Sequence, residues 1–296
     1  MKIWIKRTLT GAASLIAVVG VGVLVAATLG ERKLHRRIDV AVSAVPLPTD
    51  AASIARGAYF FRSRGCGDCH GADGAGHVVI DDGAMVVRAP NITSIAGGAT
   101  SRYTTADWVR TIRHGIKPDG RPVLIMPSEE YSRLTDVDVG AIVAYVRQLP
   151  AKDGQGALVQ LPLPVKVLYG LGLIPDAAEK IDHGRSSTEP VTEGVSAAYG
   201  AYVANGCTGC HRADLSGGKI AGAPPSWPAA ARLAPGDGSV MARYPNADAF
   251  ASMLKSGKRP DGSAVSPVMP FVSLREMSEI DVRALYLHLT TMGAKS

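Results

Sequence analysis

The chain has 296 residues and a formal net charge of +6, a length that suits about two domains. Residues 1–37 hold seven of the 32 basic residues and one of the 26 acidic ones, so the remainder carries 25 of each and is formally neutral. A neutral body gives no basis for nucleic-acid binding, which draws on an excess of positive charge.

Thr8 to Gly30 is a run of 23 residues without a charge. As a helix rising about 1.5 Å per residue it would reach roughly 34 Å, enough to cross a hydrocarbon core of about 30 Å. Trp4 suits the headgroup zone. A cleaved signal peptide has a shorter apolar region of about 7–15 residues, and Ala26-Ala27 is a poor cleavage site. Residues 1–37 are therefore expected to form an uncleaved membrane anchor. Both flanks are basic, so charge alone does not orient it.

A helix over about 51–64 leads into Cys66-Gly67-Asp68-Cys69-His70. A second, over about 191–205, leads into Cys207-Thr208-Gly209-Cys210-His211. These segments contain all four cysteines. C-x-x-C-H is the attachment signature of c-type haem, in which the thiols add to the porphyrin vinyl groups and the adjacent histidine ligates the iron. A thiol–disulfide site does not need a following histidine twice. A zinc site would find only three ligands in each pentapeptide, with no histidine at finger-like spacing beyond. Two covalently bound haem c groups are expected. An aromatic content of only 5 % suits domains whose core is partly the macrocycle.

The second half repeats the first. Gly57-Ala58-Tyr59 recurs as Gly200-Ala201-Tyr202 at nearly the same spacing before the motif, Pro118-Asp119-Gly120 as Pro260-Asp261-Gly262, Met126-Pro127 as Met269-Pro270, and Asp138-Val139 as Asp281-Val282. The order is kept and the offset drifts by two residues, which marks a tandem duplication. In each copy a helix beginning near Thr105 carries Trp108, whose counterpart is Phe250, and ends near Gly115 or Gly257. A last helix follows a cap, Thr135 with Asp138 or Ser278 with Asp281, and Val139, Ile142, Val143 and Val146 have helical spacing. Strand signals are weak. The expected fold is all-α: a transmembrane helix within residues 1–37, then domains over 51–150 and 191–296 joined by a linker over 151–190. That linker is apolar around 158–175. It reads as an ordered connection packed on the domains, or as a patch for a partner or a membrane surface.

The iron needs a sixth ligand. Met85 lies only 15 residues past His70, too near to reach the opposite face. Met126 and Met269 lie 56 and 58 residues past their histidines, and both precede proline. A lone methionine is ordinarily core filling, but a pair in register with Cys-His is not isolated. The metal ligands are expected to be His70 with Met126 and His211 with Met269. His77, His114, His288, His35 and His183 are expected on the surface or in packing.

Arg56-Gly57-Ala58-Tyr59, the first C-x-x-C-H, Pro90-Asn91-Ile92-Thr93, Asp107-Trp108, Arg113-His114-Gly115, Met126-Pro127 and Asp138-Val139 together resemble the class I cytochrome c domain. More narrowly, the chain is similar to the cytochrome c subunits of membrane-bound alcohol and sugar dehydrogenases. The resemblance covers about 51–150 and, more weakly, 191–292. It implies that the Pro90 carbonyl accepts a hydrogen bond from the far nitrogen of His70, that Asn91 and Thr93 hydrogen-bond near a haem propionate, and that Trp108 packs beside that edge. It also implies haem attachment outside the bacterial inner membrane, so the body would face the periplasm. The second copy has Arg232-Leu233-Ala234 at the Asn91 position. An arginine there would pair with a propionate and give the second haem the more positive potential, or would point into solvent.

The expected function is that of a membrane-anchored dihaem electron carrier between a respiratory donor, such as a dehydrogenase, and an oxidase, a quinone or a soluble cytochrome. With all six iron positions filled no catalytic residue is expected. The alternatives are a dihaem peroxidase-like enzyme, which the paired methionines disfavour, and a dihaem subunit of a terminal oxidase, which the single span disfavours.

Overall fold

The computed structural model describes residues 2–185, 189–224 and 226–293. Helix α1 (Lys2–Leu34) contains the whole uncharged run and is long and apolar enough to cross a membrane. Nearly all of its side chains are exposed, with Ala26 a buried exception near its C-terminal end.

Helix α2 (Ala51–Ser63) starts where the Asp50 carboxylate accepts the Ser53 N–H at 2.9 Å. A left-handed Gly65 turns the chain into the single-turn helix α3 (Cys66–His70). Helix α4 (Thr105–His114) begins with a reciprocal Thr104–Asp107 capping box and stops at left-handed Gly115, the position expected from the sequence. The short α5 (Ser128–Tyr131) and then α6 (Asp136–Gln148) follow. In the second half of the repeat the same order returns as α9 (Ala197–Ala204), α10 (Thr208–His211), α11 (Ala247–Ser256), α12 (Phe271–Leu274) and α13 (Glu279–Thr291).

The all-α expectation needs correction. Strands β1 (Val78–Asp81) and β2 (Val86–Arg88) form an antiparallel hairpin, and β3 (Leu158–Gln160) adds to its far side to make a three-stranded sheet. The hairpin is built from Val78-Val79-Ile80 and Val86-Val87, β-branched residues that favour extended backbone, around a turn at Asp82-Gly83. The linker supplies β3 and two helices, α7 (Leu163–Gly170) and α8 (Ala177–Lys180).

The core is formed by α2 against α6 and α9 against α13. Both crossings are close at glycine: a Cβ on Gly57 would collide with the Ala141 carbonyl, and one on Gly200 with the Ala284 carbonyl. Phe60, Phe61, Val139, Val143, Tyr199, Leu285 and Leu289 are almost wholly buried there.

The halves are fastened to each other by a reciprocal exchange. The Tyr59 hydroxyl, from the first half, donates to Asp281 at 2.7 Å and accepts from the Ser278 N–H at 2.9 Å. The Tyr202 hydroxyl, from the second half, donates to Asp138 and accepts from the Thr135 N–H. Each tyrosine therefore caps the last helix of the other half. Asp138 and Asp281 are 2 % and 0 % exposed, a burial that charge tolerates only when paired. Asp281 also accepts from Arg64 at 2.8 Å and Tyr199 at 2.8 Å, and Asp138 from Arg56 at 2.6 Å.

Candidate functional site

Helix α3 holds the whole first motif, Cys66–His70, whereas in the second Cys207 closes a 3-10 turn and α10 carries Cys210 and His211. The His70 Nδ1–H donates to the Pro90 carbonyl at 2.9 Å, and the His211 Nδ1–H donates to the Ala231 carbonyl at 2.7 Å, twenty residues on in both cases. A carbonyl can only accept, so Nδ1 carries the proton and the Nε2 lone pair is left for a metal. Burial pushes the pKa of both imidazoles down, against the carbonyl that favours protonation. Both are therefore neutral, the form that ligates.

The acceptor loops are held by a device repeated in register. The Gly76 N–H donates to the His70 carbonyl at 2.8 Å and the Gly217 N–H to the His211 carbonyl at 2.9 Å. Both glycines have positive φ, 75° and 73°, and a Cβ on either would run into the backbone of the acceptor loop. Only glycine fits such a left-handed, close approach.

The four cysteines are half-buried and free. Burial is the main cause that pushes Cys66 and Cys207 up to about 12 and also raises Cys69 and Cys210; the neighbouring Cys69 raises Cys66 further and Glu130 raises Cys207. A thiol–disulfide reagent needs the opposite, a lowered pKa. Among the described residues no three His, Cys, Asp or Glu side chains converge as a metal cage. The donor set fits haem c: in each half two thiols and a neutral imidazole on one turn, beside an aromatic-lined core.

Met126 and Met269 lie half-buried in matching turns. Their carbonyls accept from the Ser128 and Phe271 N–H groups, each at 2.8 Å, and the following prolines share the same conformation. Trp108 is buried edge-on to Tyr103, with ring centroids 5.4 Å apart, and Phe250 stands in the same relation to Tyr244 at 5.4 Å. Asn91 and Thr93 are buried and bonded to each other: the Thr93 N–H and hydroxyl donate to Asn91 Oδ1 at 2.8 and 2.7 Å. Asn91 Nδ2 donates to the Lys152 carbonyl at 2.6 Å. The pair thus ties the Pro90 loop to the chain after α6. Arg232 donates to the Ala234 and Pro235 carbonyls of its own loop at 3.2 and 3.0 Å.

Sequence reasoning missed several features. The Met-Pro turn of each half leads into a short helix that leans on the other half's motif, α5 on α10 and α12 on α3. At the first crossing the Glu130 carboxyl meets the Gly209 backbone. Burial, reinforced by Glu129 and opposed by the Gly209 N–H and Lys180, pushes Glu130 up to about 8. At the second, the counterpart Ser273 faces Gly65 and Asp68. The glycine six residues after each motif histidine could have signalled the Gly76–Gly217 device, but nothing in the sequence signalled Glu130. His114 and His183 bond to each other, with Nδ1 atoms 3.0 Å apart, and link the end of α4 to the linker.

A cytochrome c domain is present within residues 52–146, and that family implies covalently bound haem c. Residues 52–146 match the family model described as cytochrome c oxidase, cbb3-type, subunit III. The chain is homologous to cytochrome c subunits of dehydrogenases. It is 29 % identical over 272 residues to the fructose dehydrogenase cytochrome subunit of Gluconobacter japonicus, covering 85 % of this chain and 55 % of that protein. It is 29 % identical over 276 residues to the cytochrome c subunit of the alcohol dehydrogenase (quinone) of Gluconobacter oxydans, covering 83 % and 56 %. A third relative is the gluconate 2-dehydrogenase cytochrome c subunit of Pantoea cypripedii, 24 % identical over 277 residues, covering 82 % and 60 %. The chain spans about half the length of the first two relatives.

Proposed function

We propose that this protein is a dihaem electron carrier, anchored by α1 with residues 51–150 and 191–296 as two cytochrome c domains on the periplasmic side. It would accept electrons from a respiratory dehydrogenase and pass them to an oxidase, a quinone or a soluble cytochrome. The observation that carries this reading is the duplicated imidazole geometry, in which both motif histidines donate Nδ1–H to a loop carbonyl twenty residues away.

Cys66 and Cys69, with Cys207 and Cys210, would hold two haem c groups by thioether bonds. His70 with Met126, and His211 with Met269, would ligate the irons. When bound, haem c supplies a reversible one-electron change at iron, and a thioether ligand raises its potential relative to a second imidazole. The chain's own residues do the rest. Pro90 and Ala231 fix the tautomer and orientation of the imidazoles. Gly76 and Gly217 let those carbonyls approach. Asn91 and Thr93 hold the first acceptor loop in place. The reciprocal Tyr59 and Tyr202 caps, with Arg64, fix one half against the other, so the spacing of the two sites is set by buried bonds and not by a flexible linker.

A dehydrogenase donor is favoured because the relatives that align over most of this chain are named as dehydrogenase cytochrome subunits. The match of residues 52–146 to a cytochrome oxidase subunit family supports a second reading, a dihaem terminal-oxidase subunit. Reductive titration of the protein in native membranes tests the carrier reading. Two one-electron equivalents per chain are expected, with His70→Ala and His211→Ala each removing one. A single equivalent would sink the dihaem assignment. Mass spectrometry of what co-purifies separates the two readings: a dehydrogenase flavoprotein or quinoprotein supports the first, a haem–copper oxidase core the second.

A further inference from the structure

The linker carries an apolar surface that the electron-transfer reading does not use. Leu163, Leu168, Leu171 and Leu173 are 53 %, 39 %, 57 % and 63 % exposed and fall on α7 and the turn just after it. Four exposed leucines within residues 163–173 are more apolar surface than singly scattered side chains, and their place in the fold says what covers them.

Helix α7 packs on the C-terminal end of α1, and the backbones touch there. A Cβ on Gly170 would collide with the Ala26 carbonyl, and one on Gly30 with the Lys166 carbonyl. The contact is thus at residues 26–30, the last stretch of the uncharged run that ends at Gly30. Four residues span only about 6 Å of helix. If the run crosses the hydrocarbon, α7 lies at its outer boundary, the depth of about 5–10 Å at which interfacial helices sit.

Polar bonds on the aqueous side lock it there. Lys166 Nζ pairs with Glu31 at 2.9 Å, and Lys33 Nζ donates to the Tyr169 carbonyl at 3.2 Å. Arg36 pairs with the buried Asp176 at 2.7 Å, and Asp176 accepts the Tyr169 hydroxyl at 2.6 Å. Lys166 is the one charge in α7. Lys166, Lys33 and Arg36 are matched by Glu31, Glu179 and Asp176, and the exposed Arg32 and Arg37 place positive charge at the level of lipid phosphates. From α8 the same body reaches the first half through Lys180–Glu129 at 2.7 Å and the His114–His183 pair.

We propose that α7 and the Leu171–Leu173 turn form a second membrane contact, seated in the outer leaflet interface beside α1, with acyl chains covering the four leucines. The contact rests on the reading of α1 as a membrane span. It holds the haem-bearing body at a fixed tilt, because one helix alone would leave it free to swing.

The test uses the full holoprotein in phosphatidylethanolamine–phosphatidylglycerol vesicles containing a lipid with a photoactivatable diazirine on its acyl chain. After photolysis, labelled peptides are mapped by mass spectrometry. Label is expected in α1 and in residues 163–173. The L171E/L173E double substitution is expected to keep the label in α1 and to cut that in 163–173 at least fivefold, with haem content unchanged. Label in α1 but none in residues 163–173 of the unsubstituted protein overturns the proposal and leaves the anchor standing; the patch would then be a protein-docking surface. Absence of label from both segments overturns the anchor and the second contact together.

Discussion

Replacing Tyr59 by phenylalanine removes one oxygen that makes two bonds across the interface between the halves. It donates to the buried Asp281 carboxylate at 2.7 Å and accepts the Ser278 N–H at 2.9 Å. A hydrogen bond to a charged group contributes about 1.5–3 kcal/mol, and a buried donor left unsatisfied costs about 1–3 kcal/mol. Asp281 keeps Arg64 and Tyr199, so the carboxylate is weakened and not abandoned. The expected loss is about 2–3 kcal/mol, which for a body of this size lowers Tm by roughly 5–10 °C. Tyr202→Phe should cost a similar amount, because Tyr202 plays the same part toward Asp138 and Thr135. The two hydroxyls share no partner, so the double substitution should approach the sum. Thermal unfolding of the holoproteins, followed by far-UV circular dichroism and by the haem absorption, measures this. Both single variants lying within about 1 °C of the parent would refute the claim that these tyrosines fasten the halves.

Other outcomes follow from the same geometry. Glu130 is pushed up to about 8 from an ordinary 4.5, so the folded state binds a proton more tightly than the unfolded one. Stability is then fully present below about 4.5 and declines as pH rises toward about 8; Glu130→Gln should flatten that decline, and equal slopes in a Tm-against-pH series would contradict it. Met126→Ala should lower the potential of one haem and open its iron to added imidazole, leaving the other unchanged. Both haems or neither responding would remove Met126 as a ligand. Arg232→Asn should lower the potential of the second haem, because a cation favours the reduced iron; an unchanged or raised value in a redox titration counts against it.

Much of the scaffold was legible because it is local and duplicated. The caps at Thr135 and Ser278 and the stops at Gly115 and Gly257 depend on a few adjacent residues, and each appeared twice in register. The motif cysteines and histidines stand out in the sequence for the same reason, as two motifs in register. The sheet was not: β1 and β2 are three or four residues long and need β3 from seventy residues away to complete them. The reciprocal tyrosine caps were visible as a repeat, but a repeat does not say that each copy serves the other. Glu130 was hidden because its counterpart is Ser273; where the two copies differ, register carries no information. The bonds of Asn91 to Thr93 and to the Lys152 carbonyl were hidden because no spacing rule encodes them.

The central claim is that each half carries one covalently attached haem. Intact-mass measurement of the purified protein after acid–acetone extraction tests it most directly, with Cys69→Ala and Cys210→Ala as companions. A mass equal to the polypeptide plus two haems, with the pigment retained, is predicted. A mass equal to the bare polypeptide, or to the polypeptide plus one haem, would contradict it.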